Sequence, residues 1–423
     1  MVQRRCFNIR DTILCFFFFL YPIIPDYTRV IGRPLYVYLS LITSILLFCF
    51  ALNNNKLLIK KDSTTFFVLL YIVFITIPIF ATAGFFTSVI IFFKYCMPII
   101  ITLHAIKNNF DFEKIISIVI IAAFPVVIIS FLELTGFNLF SFIENVDLST
   151  MGTSAQMRMG IYRLEGPFGH AISYGIYLTF ISGLTQYKLI ITENKRFKYM
   201  LIIMFCLTCL AEFLTLSRAP IIIYIFTQIF IFFLFNVKHK LRVIANIIVF
   251  SVISFVILEI IGLDIFGAIE TIFGFFETLT SNSMSNKIDF GTNANPYEYR
   301  FALFNRVFDM MKNSKISFLV GDYLWENNFS VDNGYLSLII FNGILGLIGR
   351  ILLYVYALFI SIIGFFKNYY LNSKDKVFYY ISIIILMGYL LNLTSVAQMN
   401  ETPTLLIIIG LILGKNRIDK YQW

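Results

Sequence analysis

Charged residues are scarce in this sequence. They make up 13% of its 423 residues, whereas soluble domains contain about 25%. This scarcity excludes an ordinary water-soluble domain. The six cysteines lie in apolar stretches or near the N-terminus, which excludes a disulfide framework of the kind that holds small secreted domains together.

Apolar residues are correspondingly abundant. They form 59% of the chain, including 49 phenylalanines, and the mean hydropathy is +0.84. Apolar runs of the length that crosses a bilayer, about 17–25 residues, recur along the chain. We therefore predict an all-α, polytopic transmembrane helical bundle with about twelve spans. The predicted spans are 12–24, 35–52, 66–82, 86–104, 115–135, 168–187, 198–215, 220–236, 242–262, 335–366, 377–395 and 402–414.

The apolar stretch 335–366 is too long for one ordinary span and too short for two. Two crossings would place the basic segment 367–376 and the C-terminal tail outside, against the positive-inside rule. We interpret the stretch as a surface or re-entrant segment followed by one crossing. Both termini are then predicted to be cytoplasmic.

The basic residues follow this topology. Of the 33 Lys and Arg residues, 21 fall in predicted cytoplasmic segments and 10 in predicted outer segments. The net charge of +9 is therefore a signal for membrane orientation, and no nucleic-acid partner is predicted. Residues 1–423 form a single integral membrane domain with two large extracytoplasmic loops, 136–167 and 263–334, and long loops in a tight bundle often carry function.

A Ser-Arg pair, residues 217 and 218, lies in the short turn between two predicted spans. Ser217 is predicted to cap the following helix, whose free N–H groups and positive dipole end lie beside Arg218. Together they would form an anion site at the outer membrane face. The alternative is that Arg218 anchors the helix by reaching lipid phosphates.

The first large loop ends in R-L-E-G-P-F-G-H, residues 163–170. The glycines and proline predict a tight turn that brings the backbone close to a ligand. Arg163 suits bidentate phosphate capture, while His170 is either a satisfied polar residue or a base. Candidate substrate contacts in and before this motif are Arg158, Glu165 and His170.

The second large loop contributes further polar candidates. Arg300 and Arg306 lie on a predicted helical segment, and Asp332 and Asn333 lie where the chain re-enters the bilayer. Three acids within predicted spans, Glu133, Glu212 and Glu259, fall in the outer third of their helices. Acids within spans are candidate functional residues. The alternative is that their side chains simply extend to the membrane interface.

This constellation resembles the O-antigen polymerase and O-antigen ligase family of bacterial envelope glycosyltransferases. The resemblance covers about residues 163–347. It is carried by R-L-E-G-P-F-G-H at 163–170, T-L-S-R-A at 215–219, the arginines of the second large loop, and D-N-G-Y-L followed by N-G-I-L-G-L at 332–347.

The resemblance implies transfer of a glycan from an undecaprenyl-pyrophosphate-linked oligosaccharide at the outer face of the cytoplasmic membrane. Arg163 and Arg218 would stabilise the pyrophosphate, with Ser217, Arg300, Arg306 and Asn333 as further substrate contacts. No Asp-x-Asp sequence occurs, so we expect a metal-independent reaction without a cofactor. Asp332 would be the general base.

Asp332 also decides between the two branches of the family. Ligases tend to carry His at this position, so the polymerase, which joins lipid-linked repeat units, is favoured over the ligase, which transfers glycan to lipid A core. Membrane lipid and a chain-length regulator protein are the other implied partners. A lipid-linked oligosaccharide flippase or other transporter stays open as a different class, although such proteins usually show internal repeats and short loops.

Overall fold

The computed structural model describes residues 9–24, 29–30, 33–53, 62–135, 157–158, 161–168, 170–233, 305, 309, 312, 314–321, 334–371, 375–393 and 403–421. Within these ranges the protein is a bundle of α-helices. Its strands there are two antiparallel pairs of two residues each, which join Arg29–Val30 to Arg33–Pro34 and Met157–Arg158 to Ile161–Tyr162. The predicted all-α fold is confirmed for this part of the chain.

The helices follow the apolar runs of the sequence closely. They are α1 (Ile9–Leu20), α2 (Leu35–Asn53), α3 (Ser63–Ile91), α4 (Met97–Lys107), α5 (Phe112–Ser130), α6 (Ala171–Ile191), α7 (Lys195–Leu214), α8 (Arg218–Phe232), α9 (Lys315–Val320), α10 (Gly334–Tyr370), α11 (Asp375–Asn392) and α12 (Pro403–Tyr421). A π-helical segment, Phe92–Cys96, joins α3 to α4, and 3-10 turns follow α1 and α5.

Five of these helical segments are long and apolar enough to cross a membrane. They are Ser63–Lys107, Phe112–Thr135, Lys195–Leu214, Gly334–Tyr370 and Asp375–Asn392, with shorter apolar segments at Val37–Cys49, Pro220–Phe232 and Pro403–Asn416. Eleven of the twelve predicted spans coincide with described helices, and the twelfth, 242–262, lies outside the described residues.

Gly84 divides the longest of these segments, Ser63–Lys107, in two. Its φ of 84° and ψ of 178° break the helix, in a region of backbone space that only glycine enters readily. Beyond it, the Ser88 hydroxyl donates to the Thr76 carbonyl at 3.0 Å. Residues twelve apart in one straight helix would be about 18 Å apart, so the chain folds back here, as the two predicted spans at 66–82 and 86–104 require.

A second glycine interrupts α10. Gly343 has a φ of 66° and a ψ of −177°, and a side chain there would meet the Leu319 carbonyl oxygen at 2.2 Å. The break separates a short helix, 334–342, from a long one, 344–370. A division within 335–366 is therefore present, while the assignment of a surface or re-entrant segment followed by one crossing stays a prediction.

Polar and aromatic contacts bring four helix ends together. The Lys188 ammonium lies 2.8 Å from the Glu113 carboxylate, and that of Lys415 lies 3.0 Å from Asp375. The rings of Phe112 and Phe378 are 4.8 Å apart. These contacts place the start of α5, the end of α6, the start of α11 and the end of α12 at one end of the bundle, which we call the Glu113 end.

A long helix rich in polar residues, α6, lies at the centre of the bundle. Apart from its first and last few residues, α6 is buried throughout, including Ser173, Thr179, Ser182, Thr185 and Gln186. By contrast, α3 exposes phenylalanines on its outer surface. Polar groups thus face the interior, and apolar groups face the surroundings, as expected where those surroundings are lipid.

The two-ended arrangement leads to a labelling prediction. In a protein with its native cysteines replaced, Leu371→Cys and Glu193→Cys lie at the Glu113 end and Tyr162→Cys at the other. We expect a membrane-impermeant thiol reagent added outside cells to label only the third, because the predicted topology puts the Glu113 end in the cytoplasm. Labelling of all three from one side would contradict the fold, and a reversed pattern would contradict the orientation.

Candidate functional site

Two of the sequence motifs pack against each other at the end of the bundle opposite Glu113. Arg163 Nε donates to the Thr215 carbonyl at 3.0 Å, and Nη2 donates to Ser217 Oγ at 2.7 Å. The backbone N–H of Leu164 donates to the Leu214 carbonyl at 3.2 Å. R-L-E-G-P-F-G-H and T-L-S-R-A therefore form one unit, at what we call the Arg163 end.

Glu133 holds the same segment from its other side. One carboxylate oxygen accepts the backbone N–H groups of Glu165 at 2.7 Å and Gly166 at 3.2 Å. Gly166 has a φ of 54°, and a side chain there would strike the Tyr174 ring at 2.8 Å, so this position requires glycine. The predicted tight turn is confirmed, and Glu133 has a structural contact that sequence analysis did not specify.

The turn between α7 and α8 is held by its own side chains. Leu216 has a φ of 49°, a left-handed conformation that costs a non-glycine residue about 1–3 kcal/mol. Thr215 Oγ1 donates to the Glu212 carbonyl at 2.7 Å and accepts from the Ser217 N–H at 3.3 Å. These bonds maintain the strained turn at the point where Arg163 docks.

The predicted cap of α8 by Ser217 is wrong. Ser217 occupies the position before the helix, but its hydroxyl makes no capping bond. It accepts from Arg163 and donates to the Thr215 carbonyl at 3.2 Å. The Ser217 hydroxyl oxygen thus accepts a hydrogen bond from the Arg163 guanidinium in place of one from a helix N–H.

His170 is the residue that caps a helix here. Its Nδ1 accepts the Ile172 N–H at 3.2 Å, at the start of α6. Of the two roles considered for His170, the structure favours a satisfied polar residue, because its Nδ1 lone pair is engaged by a helix N–H.

Glu165 has the properties of a group that exchanges protons near neutral pH. Burial raises the pKa of its carboxyl to about 7, and the neighbouring Arg163 charge opposes that rise. A pKa close to the working pH suits a general acid or base.

Positive potential also comes from the backbone. Both α6 and α8 begin at the Arg163 end, so their free N–H groups and positive dipole ends point the same way. Together with the Arg163 guanidinium they favour an anion. The described start of the third motif, Gly334, lies at this end too, since its N–H donates to the carbonyl of Leu393, just beyond the end of α11, at 2.8 Å.

Several predicted site residues lie outside the described residues. These are Arg300, Arg306, Asp332 and Asn333, together with the acid Glu259. The backbones of Arg158 and Arg218 are described, in a short strand and at the start of α8, but their side chains are not. The structure thus unites Arg163, Glu165, His170 and Ser217.

Two contributors were missed in the sequence. Tyr174 donates to or accepts from Ser130 at 2.7 Å while its ring packs under Gly166, and the Thr215 carbonyl receives Arg163. The signal for Tyr174 was its spacing, four residues after His170 on a helix unusually rich in polar residues. A backbone carbonyl gives no signal in a sequence.

Comparison with known proteins leaves the site to be interpreted from its geometry. The chain matches no family model and no curated protein sequence.

The docking of Arg163 can be tested through stability. We expect Arg163→Lys to lower the free energy of unfolding by about 1–2 kcal/mol, because an ammonium cannot reproduce the fork that reaches both Thr215 and Ser217. Arg196→Lys, an exposed position at the start of α7, is the control and should change little. Equal unfolding curves for the two variants, measured in one detergent, would contradict the docking.

The pH dependence of stability tests the environment of Glu165. A raised carboxyl pKa means that the folded state binds the proton more tightly than the unfolded state does. The contribution of Glu165 to stability therefore falls as the pH rises from about 4.5 to about 7.

The Glu165→Gln variant lacks this falling contribution. We therefore expect the stability of Glu165→Gln, relative to that of the native protein, to increase as the pH rises from about 4.5 to about 7. Thermal unfolding of both proteins across pH 4–8 measures this difference. Parallel curves would show that the pKa of Glu165 is not raised.

Proposed function

We propose that this protein is a surface-polysaccharide (O-antigen) polymerase, which joins undecaprenyl-pyrophosphate-linked oligosaccharide repeat units. The observation that supports this proposal best is the docking of R-L-E-G-P-F-G-H on T-L-S-R-A through Arg163 and Ser217. Arg163 and Thr215 are 52 residues apart in the sequence. Their contact joins the two motifs into one positively charged unit, as a binding site formed by both motifs requires.

The reaction needs charge stabilisation more than it needs acid catalysis. An acceptor hydroxyl oxygen attacks the anomeric carbon of the donor glycan, the bond from that carbon to the pyrophosphate oxygen breaks, and the lipid pyrophosphate leaves as an anion. Arg163, Arg218 and the starts of α6 and α8 would stabilise that anion. No metal or cofactor is required for this step.

The acceptor proton needs a base. Asp332 is the base that the family resemblance indicates, and Glu165 is a second candidate because its pKa of about 7 suits proton transfer at neutral pH. Arg158, Arg300, Arg306 and Asn333 would contact the sugar or phosphate groups. His170 would support this site by starting α6.

The proposal includes a membrane arrangement. The chain would cross the cytoplasmic membrane twelve times with both termini in the cytoplasm, and residues 136–167 and 263–334 would lie outside. The Arg163 end would then face the outer leaflet, where lipid-linked repeat units are presented. A chain-length regulator protein is the expected partner there.

Deletion of the gene tests this function directly. We expect surface glycan extracted from the deletion strain to carry one repeat unit on its acceptor, with the ladder of longer chains absent on a gel. Long chains stranded on the lipid carrier would indicate a ligase, and loss of both products would indicate a flippase. A deletion strain that keeps the ladder would overturn the proposal.

Point variants then connect the function to the site. Plasmid-borne wild type and Arg196→Lys should restore the ladder, whereas Arg218→Lys should not, at equal protein level. A lysine carries the charge but cannot grip a phosphate with two parallel bonds. A normal ladder with both Arg218→Lys and Arg218→Ala would instead favour a lipid anchor.

A further inference from the structure

Glu212 is a buried acid that the proposed glycan chemistry does not use. It lies on α7, one turn before the strained turn at Leu216. Its side chain is 0% exposed, and neither carboxylate oxygen has a hydrogen-bond partner in the part of the chain that the structure describes. A side chain at Gly175 would lie 2.9 Å from Glu212 Oε1 and 2.7 Å from Pro220, so the carboxyl is enclosed between α6 and α8.

An ionised carboxylate in this position would be costly. Its removal from water without hydrogen bonds costs at least a few kcal/mol within a membrane. Among the described residues, no Lys, Arg or His forms an ion pair with it. The carboxyl group therefore needs a cationic ligand that fits between packed helices.

A proton fits this site better than a metal ion does. Hard metal ions require several oxygen ligands at once, and the nearby hydroxyls are already engaged. The Tyr174 hydroxyl is bonded to Ser130 at 2.7 Å, and that of Tyr224 is bonded to Ser182 at 3.2 Å. Helices α6, α7 and α8 are unbroken here, so their carbonyls are used within the helices.

The titratable groups that face Glu212 among the described residues carry no positive charge. They are Tyr174 on α6, Cys209 on α7 and Tyr224 on α8. A proton on the Glu212 carboxyl group therefore meets no electrostatic repulsion from these groups.

We propose that Glu212 is a proton-binding site inside the helix bundle. Its carboxylate binds one proton from the solvent and is then a neutral carboxylic acid enclosed by α6, α7 and α8, so charge and atoms balance. The site stands whether or not the protein is a polymerase.

Infrared spectroscopy of the full chain in lipid vesicles tests this site. A protonated carboxylic acid has a carbonyl-stretch band that shifts when its proton is replaced by deuterium. At pH 7 we expect Glu212→Gln to lose one component of that band, and the control Glu193→Gln, at an exposed position, to keep it. In D₂O the Glu212 component should shift, because the acid then carries deuterium in place of its proton.

Two results would overturn the proposal. They are a band that is unchanged in Glu212→Gln and a Glu212 component that does not shift in D₂O. If Glu212→Gln fails to fold, the wild-type spectrum still decides, because the absence of any protonated-acid band at pH 7 would exclude a proton on Glu212. None of these measurements depends on glycan synthesis, so the site and the polymerase can fail separately.

Discussion

The architecture depends on the scarcity of water inside a membrane. Backbone polar groups there must find their partners within the protein, and α6 shows how polar side chains do the same. Thr179 and Thr185 donate to carbonyls of their own helix, and Ser182 and Gln186 bond to Tyr224 and Gln228 of α8. A helix with many polar side chains is thus at the centre of the bundle, and its neighbours supply the apolar outer surface.

The same constraint explains how the Arg163 end is held. Residues 163–168 form no long helix or sheet, so their backbone groups need other partners. Glu133 accepts two of their N–H groups, and the carbonyl of Leu214 accepts a third. Arg163 then ties the segment to the turn at Thr215. The segment carrying the candidate site is therefore positioned by α5 on one side and by α7 and α8 on the other.

The positions of the helices could be predicted from the sequence because long apolar runs determine them almost alone. The division at Gly343 followed from length and charge, since two crossings would have placed basic residues outside. The role of Ser217 could not be predicted, because a cap signal is local while its competitor, Arg163, comes from a distant segment. The same limit applies to Glu133, whose sequence marks it as an acid in a span but not as an acceptor for Glu165 and Gly166.

Arg163 carries the permanent charge among the described residues of segment 163–170. Burial raises the pKa of the Glu165 carboxyl to about 7, so this group is only partly ionised near pH 7. Arg163 retains its charge at all relevant pH values, and the starts of α6 and α8 add to it. An anion that approaches this end meets a positive potential with little opposing negative charge. Its arrival would also favour the protonated form of Glu165, so anion binding and proton uptake are expected to reinforce each other.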